Sequence, residues 1–118
     1  MLGSGEAAEI VLAVVAEHLG GREMFTQGEL LGPWKALGLR ADDLFQGLVA
    51  LARDGHIHAS GEGDAASLHV SLALREALGA GRHRFADLPP ALHALLAQAA
   101  QRQAENRADS RERRDGFG

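Results

Sequence analysis

Hydrophobic residues at the start of the chain recur every three or four positions. Within residues 6–19 they are Ile10, Val11, Val14, Val15 and Leu19. This spacing places them on one side of an α-helix, while glutamates occupy the other side. Two glycines, Gly20 and Gly21, follow the last apolar position and favour the end of a helix there. The pattern therefore predicts an amphipathic first helix over residues 6–19.

A capping signal predicts the start of a second helix. Thr26 stands three residues before Glu29, so each side chain is able to bind the backbone amide of the other residue. Phe25 before the cap and Leu30 after it form the matching hydrophobic pair. We expect a helix that starts after Thr26 and is interrupted at Gly32-Pro33, because proline lacks the amide hydrogen that a helix interior uses.

The third helical pattern covers Ala41 to Arg53 and is followed by a hairpin. The inward stripe of this helix comprises Leu44, Leu48, Leu51 and Ala52, and Asp54-Gly55 ends it. Apolar and polar residues then alternate in residues 56–60 and 67–72, as in half-buried strands. A tight turn centred on Glu62-Gly63 would pair Ile57 with Leu68 and His56 with His69. That register puts the apolar residues of both strands on one face.

The last third of the chain carries another apolar stripe and then a charged tail. A short helix is predicted over residues 73–78 and a final helix over residues 87–106. The final helix has apolar residues at Leu88, Leu92, Leu95 and Ala99. This stripe is equally compatible with a dimerisation seam and with packing against the chain's own core. Residues 107–118 are charged and nearly free of apolar residues, which predicts a disordered tail.

The charge, the lack of cysteine and the short apolar runs exclude several classes of protein. The 118 residues carry a net charge of −4, and residues 1–80 hold 5 Lys and Arg against 11 Asp and Glu. There is no cysteine, so disulfides, thiol nucleophiles and Cys-ligated metals are excluded. The longest apolar run, residues 10–16, is far shorter than the ~20 residues that span a bilayer. We therefore expect a soluble, cytoplasmic protein that does not bind membranes.

Three helices followed by a hairpin resemble the winged helix-turn-helix superfamily. The resemblance covers about residues 6–75 and rests on the segments "TQGELLGPWKALG", "LVALARDGHI" and "HIHASGEGDAASLHVSL". It implies a mainly α fold with a small β-hairpin: a winged-helix domain in residues 1–86, made of a three-helix core and a two-stranded wing, with an extra C-terminal helix. Residues 41–53 would be the recognition helix and residues 61–64 the wing tip. Many members bind DNA as transcription regulators, and others are interaction modules.

The charge of the implied reading face favours a protein partner over DNA. Aspartates at the start of a helix complement its dipole, yet they oppose the approach of phosphates. Carboxylates at the wing tip also repel the phosphates of DNA. We expect a regulatory or adaptor module that contacts a protein through an acidic face, formed by Asp42, Asp43, Gln46, Glu62 and Asp64.

The alternative is a dimeric DNA-binding transcription regulator. In that interpretation Gln46 reads a base edge, and Lys35, Arg40 and Arg53 contact phosphates. The same chain would pair with a second copy through its final helix. Salt-dependent binding to a palindromic site would favour this alternative.

Three histidines on the hairpin are candidate metal ligands. His56, His58 and His69 fall on the outer face of the hairpin, where imidazoles would suit zinc. An ordinary polar strand face is the favoured interpretation, so no metal and no cofactor are expected. The chain has neither a P-loop nor a dinucleotide-binding fingerprint, and no hydrolase elbow. We therefore do not expect an enzyme.

Overall fold

Five α-helices and three short strands make up the described part of the chain. The computed structural model describes residues 3–20 and 22–115, with all side chains except those of Asp64 and residues 106–115. The elements follow in the order α1 (Ser4–His18), β1 (Met24–Thr26), α2 (Gln27–Ala36), α3 (Ala41–Arg53), β2 (Ile57–Ser60), β3 (Ser67–Val70), α4 (Leu72–Gly79) and α5 (Pro90–Asp115). The chain is thus mainly helical with a small antiparallel sheet.

The capping signal at the start of α2 is confirmed. The Glu29 amide donates to Thr26 Oγ1 at 3.2 Å, and the Thr26 amide donates to Glu29 Oε2 at 2.9 Å. The predicted interruption at Pro33 is wrong, because Pro33 lies inside a continuous α2. Leu30 and Trp34 flank it and are fully buried. Their burial offsets the cost of a proline within the helix, which is about 3 kcal/mol.

The sheet has three strands, where the sequence predicts two. Its strand order is β1-β3-β2, and both pairings are antiparallel. The additional strand, β1, is only three residues long and merges directly into the cap of α2 at Thr26. So short a segment shows no alternation of its own, which explains why the sequence pattern does not reveal it.

The predicted register of the hairpin is wrong by two residues. Ile57 pairs with Val70 instead of Leu68, and His69 pairs with His58 instead of His56. The connection is wider than a two-residue turn, since it contains a 3-10 turn over Gly63–Ala65. A shift by two keeps each strand residue on its original face. Ile57 and Leu68 are buried on the inner face as predicted, whereas Ala59 is exposed and Leu72 begins α4 with 66% exposure.

The core lies between α1, α2, α3 and the inner face of the sheet. Its largest fully buried side chains are Trp34, Phe25, Ile10, Leu30, Leu44, Val11 and Val14. The Trp34 indole donates to the Arg40 carbonyl at 2.7 Å and thereby ties α2 to the start of α3. At Gly47 the two backbones of α1 and α3 come together, because a Cβ there would lie 2.9 Å from the carbonyl carbon and oxygen of Ala7.

Helix α5 packs against the chain's own core. Leu88, Leu92 and Ala99 are buried, and Leu95 is half-buried against the same cluster. At Gly38, in the α2–α3 turn, a Cβ would lie only 2.5 Å from the Ala99 carbonyl oxygen. The predicted dimerisation seam is therefore occupied within one chain, and the alternative of intramolecular packing describes these residues.

The final helix is also longer than the sequence predicts. It continues through Asp115, whereas a disordered tail is predicted from residue 107. Arginine, alanine and glutamate make up six of the nine residues 107–115, and all three have high helix propensity. No glycine or proline interrupts the segment before Gly116. Residues 116–118 of the predicted tail lie outside the described residues.

Candidate protein-interaction surface

The outward side of α3 carries two exposed hydrophobic residues. Phe45 is 58% exposed and Val49 is 41% exposed. They stand four residues apart and therefore lie above one another on the helix surface. Asp42, Gln46 and Arg53 are exposed around them, and we refer to these five residues as the α3 face. Both residues are adjacent to the predicted inward stripe of the helix, and the spacing of apolar residues does not by itself indicate their exposure.

The exposure follows from how α3 packs. Its buried positions are Leu44, Gly47, Leu48 and Leu51, and they point at α1 and the core. Phe45 and Val49 each follow a buried leucine by one position, which turns them about 100° away from it. Since α1 already fills the inward side up to the backbone of Gly47, no element within residues 3–20 and 22–115 buries the two side chains.

A shallow groove runs between the start of α1 and the α3 face. It has a volume of about 300 Å³ and is lined by Ser4, Phe45, Gln46, Val49, Ala50 and Arg53. We call it the α1–α3 groove. Its lining combines apolar side chains with a hydroxyl, an amide and a guanidinium group, which are able to hydrogen-bond the polar groups of a ligand. A groove of this size suits one or two anchoring side chains of another protein.

Carboxylates and one cation surround the start of α3. Asp42 and Asp43 lie in its first turn, with Asp42 exposed and Asp43 half-buried. Arg40 Nη2 is 4.0 Å from Asp42 Oδ2, and both side chains are more than three-quarters exposed. A pair this exposed contributes little to stability. It does, however, place an opposite charge beside Arg40, which weakens Arg40 as a phosphate ligand.

Of the three cations in the DNA-binding interpretation, only Arg53 lines the same groove as Gln46. Lys35 lies in the last turn of α2, Arg40 precedes α3 and Arg53 ends it. The thirteen positions between Arg40 and Arg53 correspond to about 20 Å along a helix. Helix α5 also approaches this region, because Gln103 Nε2 donates to the Lys35 carbonyl at 3.2 Å. Lys35 and Arg40 therefore lie outside the α1–α3 groove, and Arg53 is the one cation of the three that shares it with Gln46.

The hairpin contributes its own exposed residues. Glu62 is exposed at its tip and does not line the α1–α3 groove. The side chain of Asp64 lies outside the described residues. The structure places His58 opposite His69, with His69 Nε2 3.5 Å from Ser60 Oγ, whereas His56 precedes the strand. Among the described side chains, no group of three histidine or carboxylate residues is able to hold a metal ion.

No known protein family, curated protein or solved structure matches this chain. Within residues 3–20 and 22–115, no helix combines the length and the hydropathy that crossing a bilayer requires. The α3 face and the α1–α3 groove are therefore the features of this chain that indicate a function.

Proposed function

We propose that this chain is a winged-helix interaction module, a regulatory or adaptor protein that binds a protein partner through the α3 face and the α1–α3 groove. The observation that carries the proposal is the exposure of Phe45 and Val49 in the middle of the helix that corresponds to the recognition helix. Three helices followed by an antiparallel hairpin support the winged-helix assignment.

The hydrophobic pair supports a protein partner for an energetic reason. Complete burial of a phenylalanine side chain contributes about 1.5–3 kcal/mol, and a valine contributes at the lower end of that range. Aromatic anchors of this kind are typical of the centre of protein interfaces. DNA phosphates, by contrast, are charged and hydrated, so a phenylalanine that faces them gains no free energy from burial of its apolar surface.

The charges indicate what kind of protein would bind. Asp42 and Asp43 lie at the start of α3, and Glu62 at the hairpin tip, while Arg53 marks the far end of the groove. A partner segment with one or two large apolar side chains and with basic residues directed at Asp42 would complement this arrangement. Asp64 belongs to the same acidic set by sequence, and reversing the charges of Glu62 and Asp64 tests the contribution of the wing.

DNA binding remains the second candidate because Gln46 is exposed on the α3 face. A glutamine at this position is suited to a bidentate contact with adenine. This interpretation requires a dimer and phosphate contacts from Lys35, Arg40 and Arg53. The distribution of these cations, described above, ranks it below protein binding.

A comparison of three tagged proteins tests the proposal. The wild type, the double variant Phe45→Ser, Val49→Ser and the control Leu72→Ser are used to isolate partners from cells of the source organism, with quantification by mass spectrometry. Leu72 is an appropriate control because it is 66% exposed and lies on α4, outside the groove. We expect one protein to be retained by the wild type and the control and to be lost with the double variant.

The same proteins and a Gln46→Ala, Arg40→Ala variant are then titrated with a short random DNA duplex at low salt. Salt-sensitive DNA binding that requires Gln46 and Arg40, together with an unchanged set of partners in the double variant, would replace the proposed function by the DNA-binding alternative. Partner loss with the control variant as well would also contradict the assignment to the α3 face.

A further inference from the structure

The outer face of the three-stranded sheet carries a row of sulfur and nitrogen donors. Met24 on β1 is the pairing partner of His69 on β3, and His69 is the partner of His58 on β2. The three residues therefore stand side by side across the sheet. We propose that this row, Met24, His69 and His58, is a binding site for monovalent copper. We call it the Met–His–His row.

The pairing places Met24 and His58 on either side of His69. The Val70 amide donates to the Glu23 carbonyl at 2.9 Å, and the Gln27 amide donates to the Ala66 carbonyl at 3.3 Å. Met24 and His69, one position inside the first of these bonds, form a non-hydrogen-bonded pair, the type whose side chains approach most closely. Directly opposite Cβ atoms are about 5 Å apart. An ion above His69 is thus within reach of a side chain from each neighbouring strand.

All three side chains face outward and are accessible. Their sequence neighbours Phe25 and Leu68 are buried on the inner face, so the alternation of the strands directs Met24 and His69 to the outer one. Met24 is 45% exposed, and His58 and His69 are exposed. The chain has only two methionines, and the one that follows Met1 lies in this row. The Met24 thioether is therefore open to solvent beside the two imidazoles.

The neighbouring residues on the same face define the class of metal. The next row across the sheet consists of Thr26, Ser67 and Ser60, so the six outward positions include no carboxylate. Calcium and magnesium require several oxygen ligands, which this face does not supply. A thioether is a soft ligand that selects Cu(I), and imidazole also suits copper. Zinc gains little from a methionine sulfur, because its protein ligands are cysteine, histidine and carboxylates.

Ser60 provides a contact that orients one ligand. Its Oγ lies 3.5 Å from His69 Nε2, so a hydrogen bond from the hydroxyl restrains the ring and leaves Nδ1 as the free ring nitrogen. Partners of this kind fix the orientation of a metal-binding imidazole. Neither the α3 face nor the α1–α3 groove contributes to the row. The inference is therefore independent of the proposed function.

A competition titration with full-length protein tests the site. Cu(I) is held by bicinchoninate under anaerobic conditions, and its transfer to the protein is followed by absorbance. The variants are Met24→Leu, His69→Ala and His58→Ala, with His93→Ala as the matched control because His93 is exposed on α5. We expect one ion per chain, a loss of affinity of at least about tenfold for each row variant and no change for the control.

A second measurement separates ligation from folding. Met24→Leu keeps an apolar side chain of similar volume and removes the thioether, and circular dichroism verifies that each variant is folded. In NMR spectra, Ag(I) as a redox-inert analogue should shift the Met24 methyl signal and the ring signals of His58 and His69. Unchanged Cu(I) affinity in folded Met24→Leu, an equal loss in His93→Ala, or a site that prefers Zn(II) independently of Met24 would overturn the inference.

Discussion

Gly47 of α3 lies directly against the backbone of Ala7 in α1. A Cβ at position 47 would be 2.9 Å from the Ala7 carbonyl carbon and oxygen, and equally close to Val11 Cγ2. Such distances are shorter than packed carbon atoms accept, and two of the three obstructing atoms belong to the backbone. The close spacing of α1 and α3 therefore depends on glycine at position 47, which has no side chain. The same spacing sets the width of the α1–α3 groove.

Gly47→Ala should consequently destabilise the protein. Overpacking costs about 1–3 kcal/mol, and it outweighs the gain of up to about 1 kcal/mol that alanine brings to a helix interior. Urea unfolding of the variant and the wild type measures the difference. Gly5→Ala is the control, because Gly5 lies in α1 with open space around it and should be neutral or stabilising. Equal stability of Gly47→Ala and the wild type would mean that the two helices separate easily.

Two phenylalanines allow folding and binding to be separated. Phe25 is 2% exposed in the core, whereas Phe45 is 58% exposed on the α3 face. Phe25→Ala should cost about 3–5 kcal/mol of unfolding free energy, and Phe45→Ala less than about 1 kcal/mol. Thermal and urea unfolding of both variants provide the measurement. A large loss in Phe45→Ala would show that Phe45 is part of the core and would remove the main support for the interaction surface.

The packing of α5 predicts how stability depends on protein concentration. Leu92 is 2% exposed within a single chain, so Leu92→Ala should cost about 2–5 kcal/mol. Because the contact is intramolecular, the melting temperature of the wild type should be the same at low and high protein concentration. A melting temperature that rises with concentration would instead assign Leu92 to a dimer seam, since association stabilises by mass action.

The α2 cap predicts a dependence of stability on pH. The Thr26 amide that donates to Glu29, together with the adjacent Arg22 guanidinium, lowers the pKa of the Glu29 carboxyl from its ordinary value. A carboxyl whose pKa is lower in the folded state stabilises the protein above its unfolded pKa. This contribution is lost as the pH falls through the folded pKa.

Glu29→Gln should therefore be less stable than the wild type at neutral pH, and the difference should shrink in acid. Unfolding free energies measured between pH 7 and pH 3 test this expectation. Glu76→Gln on α4 controls for a general change of charge, since Glu76 is exposed and outside the cap. A difference that grows towards acid would contradict the sign of the pKa shift. Thr26→Ala should cost about 0.5–2 kcal/mol at neutral pH, because it removes the reciprocal bond.

Local signals in the sequence predict local structure well here. Thr26 and Glu29 specify the start of α2 through a contact three residues apart, and Asp54-Gly55 specifies the end of α3. The alternation of residues 56–60 and 67–70 predicts which side chains share a face. It does not predict the register, because the pairing of His69 with His58 or with His56 satisfies the same alternation. The row that includes Met24 depends on that register and on a strand too short to be recognised.

The remaining differences have a common physical origin in contacts between distant segments. The exposure of Phe45 depends on how closely α1 approaches Gly47, and this distance is not encoded in the period of α3. The spacing of Leu88, Leu92 and Ala99 is the same for a dimer seam and for packing on the core. Only the position of α5 relative to the α2–α3 turn distinguishes the two arrangements.

The two glycines at the helix contacts impose different constraints on sequence change. Gly38 has φ = +84° and also meets the Ala99 carbonyl, so a relative that lost α5 would still favour glycine at this position. Gly47 lies within helix α3, and its requirement is purely steric. A relative with a smaller residue at position 11 and a wider spacing between α1 and α3 could therefore carry alanine there. Among relatives of this chain, position 38 should therefore vary less than position 47. A substitution at position 47 should be accompanied by substitutions in α1.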